Sequence, residues 1–304
     1  MSGIENINVL AFDILGIPVG DFSKVSLVII MVSMGLTLTL SNFAYIFTNP
    51  RSMLVGLVGQ LVLLPLVAFC LCQVFNLSNS VAVGIMLIAC CPGAATSNFM
   101  TYLAKGELAL SITLTAVTGI ITIFTIPLIL NSVLSFFGLS DQGVSLPILN
   151  TIWNIFILTG LPVILGMVIR ALAPKLARRL EKLLTPLSFV ALLTVMFMTF
   201  REVWPVVAIL IKEALLPVFM LNLSMVVIGL RLGRLMQFSG KISSTIAIEI
   251  GFQNYVLAIV IAIGMLNSPE FSIPSVVYLF SMYVTAIPVV LYARAKHRDL
   301  DTRL

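Results

Sequence analysis

Charge is what this sequence has least of, since aspartate, glutamate, lysine and arginine together make up 10% of it. A soluble domain keeps roughly a quarter of its residues charged to hold water at its surface. Hydrophobic residues reach 60% and the mean hydropathy is +1.16. The missing polar coat therefore implies a surface that faces lipid. Histidine is nearly absent as well: His297 is the only one, in a basic C-terminal stretch, which excludes His-based catalysis and His-ligated metals. The cysteines, Cys70, Cys72, Cys90 and Cys91, lie in apolar runs without zinc-site spacing, so they read as small packing residues. Neither an aspartate nor a histidine lies deep in an apolar run, which argues against an intramembrane enzyme with an aspartate dyad, a Ser-His pair or a ligated metal. The chain is expected not to be an enzyme. The first residues carry no basic region and no small-residue cleavage site, unlike a signal peptide. Residues 1–21 read as an extracytoplasmic segment, with the short VLAFDILGIPV stretch and its Asp13 at the interface.

What is abundant is long apolar runs. Crossing the hydrocarbon takes about 20 such residues as a helix. Nine candidates occur, at 23–42, 52–73, 80–103, 107–137, 146–171, 185–204, 211–233, 241–266 and 274–294, joined by connections too short for a soluble domain. Of the 17 basic residues, only Lys24, Arg201 and Lys212 fall on one side of this alternation; the other 14 fall on the opposite side. The positively charged side is expected to be cytoplasmic. That predicts an odd number of spans in a cell inner (plasma) membrane, the N-terminus outside and a cytoplasmic tail at 295–304. The net charge of +5 is thus spent on topology, not on a nucleic-acid face.

Two of the runs are interrupted. In the third, VAVGIMLIACC meets Pro92-Gly93 and then Ala94-Ala95-Thr96-Ser97-Asn98. Proline removes a helical hydrogen bond and glycine frees the chain to unwind. In the eighth, Glu249, Gly251, Gln253 and Asn254 interrupt residues otherwise fit for lipid. Unwound backbone at membrane depth is tolerated only where protein or a polar cavity satisfies it. A pair of such breaks, one in each half, points to a binding site near the midplane. Freed carbonyls suit a cation, and helix N-termini suit an anion.

Glu249 is the one acidic residue deep in a span. An ionised carboxylate there needs a cation, a hydrogen-bond network or a proton. Coupling-ion ligand, proton carrier and structural hydrogen-bonding group are the readings open to it. Gln253 follows four residues later, on the same face if the helix persists. Ser111, Thr115, Thr118, Thr122 and Thr125 make one hydroxyl stripe in the fourth span, and Gln60 lies mid-span ahead of a proline. Oxygen donors of this kind match hard cations. The same small hydroxylated residues also let helices pack closely.

The stretches CCPGAATSNFMTYLAKGELALSITLT (90–115) and EIGFQN (249–254), with Gln60, resemble the bile acid:sodium symporter family, and the resemblance covers nearly the whole chain. It implies a bacterial member with an all-α, inverted-repeat carrier fold in which two broken helices cross. Nine helices would correspond to the family's ten-helix arrangement without its first. A panel domain at 22–45 and 146–210 and a core domain at 50–138 and 211–294 are implied. So are two sodium ions: one held by Ser97, Asn98, Ser111, Thr115 and Glu249, the other by Gln60, Glu249, Gln253 and the carbonyls of Ile250 and Phe252. Asn254, Thr96 and Thr285 are the implied substrate contacts. The activity implied is sodium-coupled symport of an organic anion (bile-acid-like, pantoate or another small carboxylate) by alternating access, with lipid and substrate as partners. The alternatives are a proton-coupled exporter of the wider superfamily, such as the arsenite exporters, for which Cys90-Cys91 would supply thiols, and a non-transporting receptor.

Overall fold

Backbone polar groups that face lipid must be satisfied within their own segment, and helices do this for a single chain. The computed structural model describes residues 13–14, 17–139, 147–202 and 204–301, and they are helical apart from short connections and one two-residue hairpin. Most of the expected extracytoplasmic segment 1–21 lies outside the described residues. The part inside is the hairpin β1 (Asp13–Ile14) and β2 (Ile17–Pro18), which leads into α1 (Val19–Gly35).

The helices that follow are α2 (Leu40–Thr48), α3 (Pro50–Val58), α4 (Leu64–Val74), α5 (Asn79–Cys90), α6 (Ala95–Leu103), α7 (Leu108–Phe136), α8 (Ile148–Ile155), α9 (Leu161–Leu172) and α10 (Pro174–Glu202). After them come α11 (Trp204–Leu235), α12 (Gly240–Gly251), α13 (Tyr255–Gly264) and α14 (Ile273–Asp301). Among the described residues five stretches can cross a bilayer by length and composition: Pro50–Val74, Leu108–Phe136, Ile148–Leu172, Trp204–Leu235 and Pro269–Ala295. The pair α1 and α2, bent by 68°, makes a sixth if it is one span. Helices α5 and α13 are apolar but short, as halves of interrupted helices must be.

Several expected boundaries move. Helix α1 ends at Gly35, within the expected span 23–42, and the Asn42 side chain, accepting from the Thr39 N–H at 2.7 Å, restarts the helix in a new direction. Helices α10 and α11 begin well before the expected 185 and 211, and α14 carries the tail in helical form to Asp301. Two stretches cross through a widened turn. Pro65 and Pro162 each lack an N–H, and π-turns at Gly59–Leu63 and Phe156–Gly160 precede them. The first of these turns carries Gln60 into the interior, where it is 1% exposed.

Helix α1 lies against α9 and α10, while α11 packs on α12 and α14. Helix α5 is buried along nearly its whole length, among α4, α7 and α14. Its N-terminus is fastened from outside: the Glu213 carboxylate of α11 accepts from the Ser78 N–H at 2.5 Å and hydroxyl at 2.9 Å. At the far end of the same interrupted helix, Arg294 Nε donates to the Leu103 carbonyl closing α6, at 2.5 Å. Both halves are thus tied to the helices that surround α12 and α13.

Candidate ion and substrate site

The two interruptions meet. Between α5 and α6 the chain is extended at Cys91, and between α12 and α13 at Phe252. The linkers run antiparallel, with Gly93 opposite Gln253. The Asn254 N–H donates to the Pro92 carbonyl at 2.8 Å, and the Ala94 N–H donates to the Phe252 carbonyl at 3.2 Å. Each unwound segment thereby supplies part of what the other lost. Asn254 also caps α13, its side chain accepting from the Leu257 N–H at 3.1 Å.

Glu249, on the last turn of α12, points into this crossing and is 0% exposed. Its Oε1 accepts from the hydroxyls of Ser97, at 2.5 Å, and Ser111, and its Oε2 accepts from the Thr115 hydroxyl at 2.9 Å. Among the described residues no basic side chain forms an ion pair with it. Each of the three hydroxyls also lies close to a second acceptor. Ser97 Oγ is 2.7 Å from the Ala94 carbonyl, Ser111 Oγ is 2.8 Å from Asn98 Oδ1, and Thr115 Oγ1 is 3.1 Å from the Ser111 carbonyl. A hydroxyl has one hydrogen. At each, one of two short oxygen–oxygen contacts therefore has no proton from that hydroxyl. One proton on Glu249 would satisfy one such contact, whereas a hard cation satisfies several together. The donor set fits an alkali cation.

On the other side of the linkers Gln60 Nε2 donates to Gln253 Oε1 at 3.1 Å, and Gln253 Nε2 donates to the Ile250 carbonyl at 3.0 Å. Among the described residues the buried Gln60 Oε1 has no hydrogen-bond partner, an unspent oxygen beside the crossing. Gly93 closes the gap between the two sides. A Cβ added to it would stand 3.1 Å from Glu249 Oε2, 3.3 Å from Gln60 Nε2 and 3.4 Å from Thr115 Oγ1. A side chain there would have to push those three groups apart by a few tenths of an ångström.

The shared helical face expected for Glu249 and Gln253 does not arise, because α12 ends at Gly251 and Gln253 arrives on extended chain. Of the hydroxyl stripe, Ser111 and Thr115 reach the carboxylate. Thr118 and Thr122 instead donate to carbonyls four residues back, at 2.8 Å each, and serve packing. Asn254 and Thr115 line a cavity of about 280 Å³. Pro92, Gly93 and Thr159 also reach it, and the rest of its wall is apolar, with Met31 and Met34 from α1, Leu38 from the bend that follows α1, Phe124 from α7 and Met167 from α9. Among the described residues no charged side chain lines it. Thr96 is half-buried next to the Tyr283 phenol rather than in that wall. Thr285 is not brought to the crossing linkers; its hydroxyl donates to Asn222 Oδ1.

That bond exposes residues the sequence reading missed. Asn222 of α11, 0% exposed, donates from Nδ2 to the Gly251 carbonyl at 2.6 Å, and Tyr278 of α14 donates to the same carbonyl at 3.0 Å. Asn222 sits in the run LPVFMLNLSMVV, and an amide amid such residues is the signal that could have found it.

These features define a multi-pass helical membrane protein organised around two broken helices that cross at a buried carboxylate. The chain belongs to the Sodium Bile acid symporter family, whose profile matches residues 24–210. That stretch contains Gln60, Ser97, Asn98, Ser111 and Thr115. Similar proteins include a probable sodium/metabolite cotransporter (BASS2, chloroplastic) of Oryza sativa subsp. japonica, 30% identical over 90% of this chain and 64% of its own length. An uncharacterized sodium-dependent transporter of Bacillus subtilis, YocS, is 28% identical over 89% of this chain and 84% of its own. Sodium/bile acid cotransporter 5 of Rattus norvegicus is 29% identical over 83% and 59%. The chain thus spans less than two thirds of the length of the rice and rat proteins.

Proposed function

We propose that the chain is a sodium-coupled carrier that moves an organic anion by alternating access, with two sodium ions flanking Glu249. One observation carries the reading: Ser97, Ser111 and Thr115 crowd more oxygen around that carboxylate than their hydrogens can serve. Ser97, Asn98, Ser111, Thr115 and Glu249 would hold one ion. Gln60, Gln253, Glu249 and the carbonyls of Ile250 and Phe252 would hold the other, and the unpartnered Gln60 Oε1 supports it. With a cation on either side, the carboxylate stays ionised without a basic partner.

The substrate would occupy the cavity beside the linkers. Its apolar wall favours an apolar body, and the absence of basic residues from that wall among the described residues leaves an anionic end to the sodium ions and to the N–H groups opening α6, which no side chain caps. This is the link between ion and cargo: the site attracts an anion well only when loaded with cations. A bile-acid-like molecule, pantoate or another small carboxylate satisfies that description. Thr96 and Thr285 would act behind Asn254 rather than beside it.

We further propose nine spans, with α5–α6 and α12–α13 each counted as one, the N-terminus outside and the C-terminus in the cytoplasm. The packing of α1 on α9 and α10 supports a panel at 22–45 and 146–210, which would move against a core formed by 50–138 and 211–294.

Thermal unfolding of the purified protein in Na+ and in K+, with and without candidate carboxylates, tests the ion site. Stabilisation by Na+ alone is expected, with its loss in Glu249→Ala at unchanged K+ baseline. Identical curves in the two salts would sink the ion site. For a compound that stabilises only in Na+, uptake into proteoliposomes unaffected by a Na+ gradient would reject the coupling.

A further inference from the structure

We propose that the first turns of α10 form a binding surface for the headgroup of an anionic phospholipid of the surrounding bilayer. Lys175, Arg178, Arg179 and Lys182 follow one another at helical spacing, so they share a stripe on one side of α10. All are exposed, and Ala177, on the opposite side, is buried. The stripe therefore faces directly away from the rest of the protein.

The acid nearest to these cations is already engaged. Glu181 lies 3.9 Å from Arg170, which belongs to the end of α9. Among the described residues no ion pair reaches any of the four stripe cations. Their position within the helix compounds the excess of charge. The N-terminal end of a helix carries the positive pole of its macrodipole and is ordinarily balanced by acidic residues. The first turn of α10 has none, and Lys175 stands within it. The bias of basic residues toward the cytoplasm accounts for their side of the membrane. It does not account for four of them stacked on one side, the first of them where the backbone already repels it. An anion relieves both repulsions.

The flank of the stripe states which kind of anion. Leu176 and Leu183 recur at helical spacing about a quarter turn from the cations, 49% and 63% exposed. Leu172, at the corner leading into α10, is 82% exposed. Exposed leucines beside an exposed basic stripe match a molecule with an aliphatic chain and a charged head, lying at the boundary of hydrocarbon and water. Free phosphate would use the cations and leave the leucines without a role.

The test uses the full chain in nanodiscs of phosphatidylcholine mixed with phosphatidylglycerol, followed by native mass spectrometry of the lipids that remain bound after release. Retention of phosphatidylglycerol over phosphatidylcholine is expected. Neutralisation of the stripe (Lys175→Gln, Arg178→Gln, Arg179→Gln, Lys182→Gln) should lower that preference by about fivefold per charge removed at low salt. The charge-preserving pair Lys175→Arg and Lys182→Arg should keep it. Equal retention of the two lipids by the native chain would overturn the proposal. So would an undiminished preference in the neutralised variant, or displacement of phosphatidylglycerol by millimolar inorganic phosphate.

Discussion

Between α5 and α6 the helix stops at a residue that has no donor to give; between α12 and α13 it stops where an acceptor has been taken. Pro92 has no N–H to return to the preceding turn, and Cys91 N–H closes α5 on the Ile88 carbonyl at 3.2 Å. In the second interruption every residue keeps its N–H. There the Gly251 carbonyl, which a continuing helix would offer to Tyr255, is captured by Asn222 from α11 and Tyr278 from α14. The Tyr255 N–H turns to the Gln253 carbonyl at 2.9 Å instead. One break is marked in covalent structure, and the other is marked only by its neighbours. The second break carries Ile250, Phe252 and Gln253, the groups proposed to hold one ion. Any movement of α11 or α14 would be felt there first.

The largest effect is expected where the two breaks touch. Gly93→Ala pushes a methyl between Glu249, Gln60 and Thr115. Overpacking of this kind costs about 1–3 kcal/mol, and it falls on the ion site rather than on a distant core. The Na+ concentration giving half-maximal thermal stabilisation should rise by roughly 10- to 100-fold, since each 1.4 kcal/mol is about a factor of ten. An unchanged sodium response in Gly93→Ala would separate the linkers from the ion site and end the comparison.

Asn222→Leu tests the dependence on neighbours. It removes one of two donors to the Gly251 carbonyl and leaves the helices themselves intact. Leaving a buried polar group short of a partner costs about 1–3 kcal/mol. Half-saturation by Na+ should weaken by about tenfold, with a lower melting temperature in K+ as well. If stability falls and sodium affinity does not, Asn222 supports packing alone and the second break is not held by capture.

The two breaks also differ in how far they could be read before any coordinates. Pro92-Gly93 announces itself, because proline and glycine act on the backbone wherever they stand. The polar residues around Glu249 mark the second interruption, yet its mechanism was invisible: Asn222 and Tyr278 lie 29 and 27 residues from Gly251 and reach it only through packing. Ser111 and Thr115 were legible as partners of Glu249, since an acidic side chain at membrane depth demands oxygen or hydrogen-bonding neighbours, whereas Ser97 was reached only through the family resemblance. Thr118 and Thr122 looked the same on paper and turned back to their own helix, because a threonine hydroxyl can always reach the carbonyl four residues earlier. Boundaries drawn from hydropathy failed where charged ends continue a helix beyond the apolar run, as in α10 and α14.

The smallest effect is expected from the residue that looks most decisive in the sequence. Pro92→Ala restores an N–H at the end of α5 and removes the ring's clash with the preceding turn. For the helix to grow through the linker, however, the Asn254 N–H would have to leave the residue 92 carbonyl, and the Ala94 N–H would have to leave Phe252. Each of those is a buried backbone bond whose loss strands a polar group, at about 1–3 kcal/mol. One regained helical bond, worth about 1 kcal/mol net, does not offset the pair. The extended linker should therefore persist without the proline, and half-saturation by Na+ should shift by less than about threefold, below 1 kcal/mol. A shift in Pro92→Ala as large as that of Gly93→Ala would mean that the missing donor, not the antiparallel pairing with residues 252–254, keeps the first helix open. The two breaks would then be independent devices rather than a single joint.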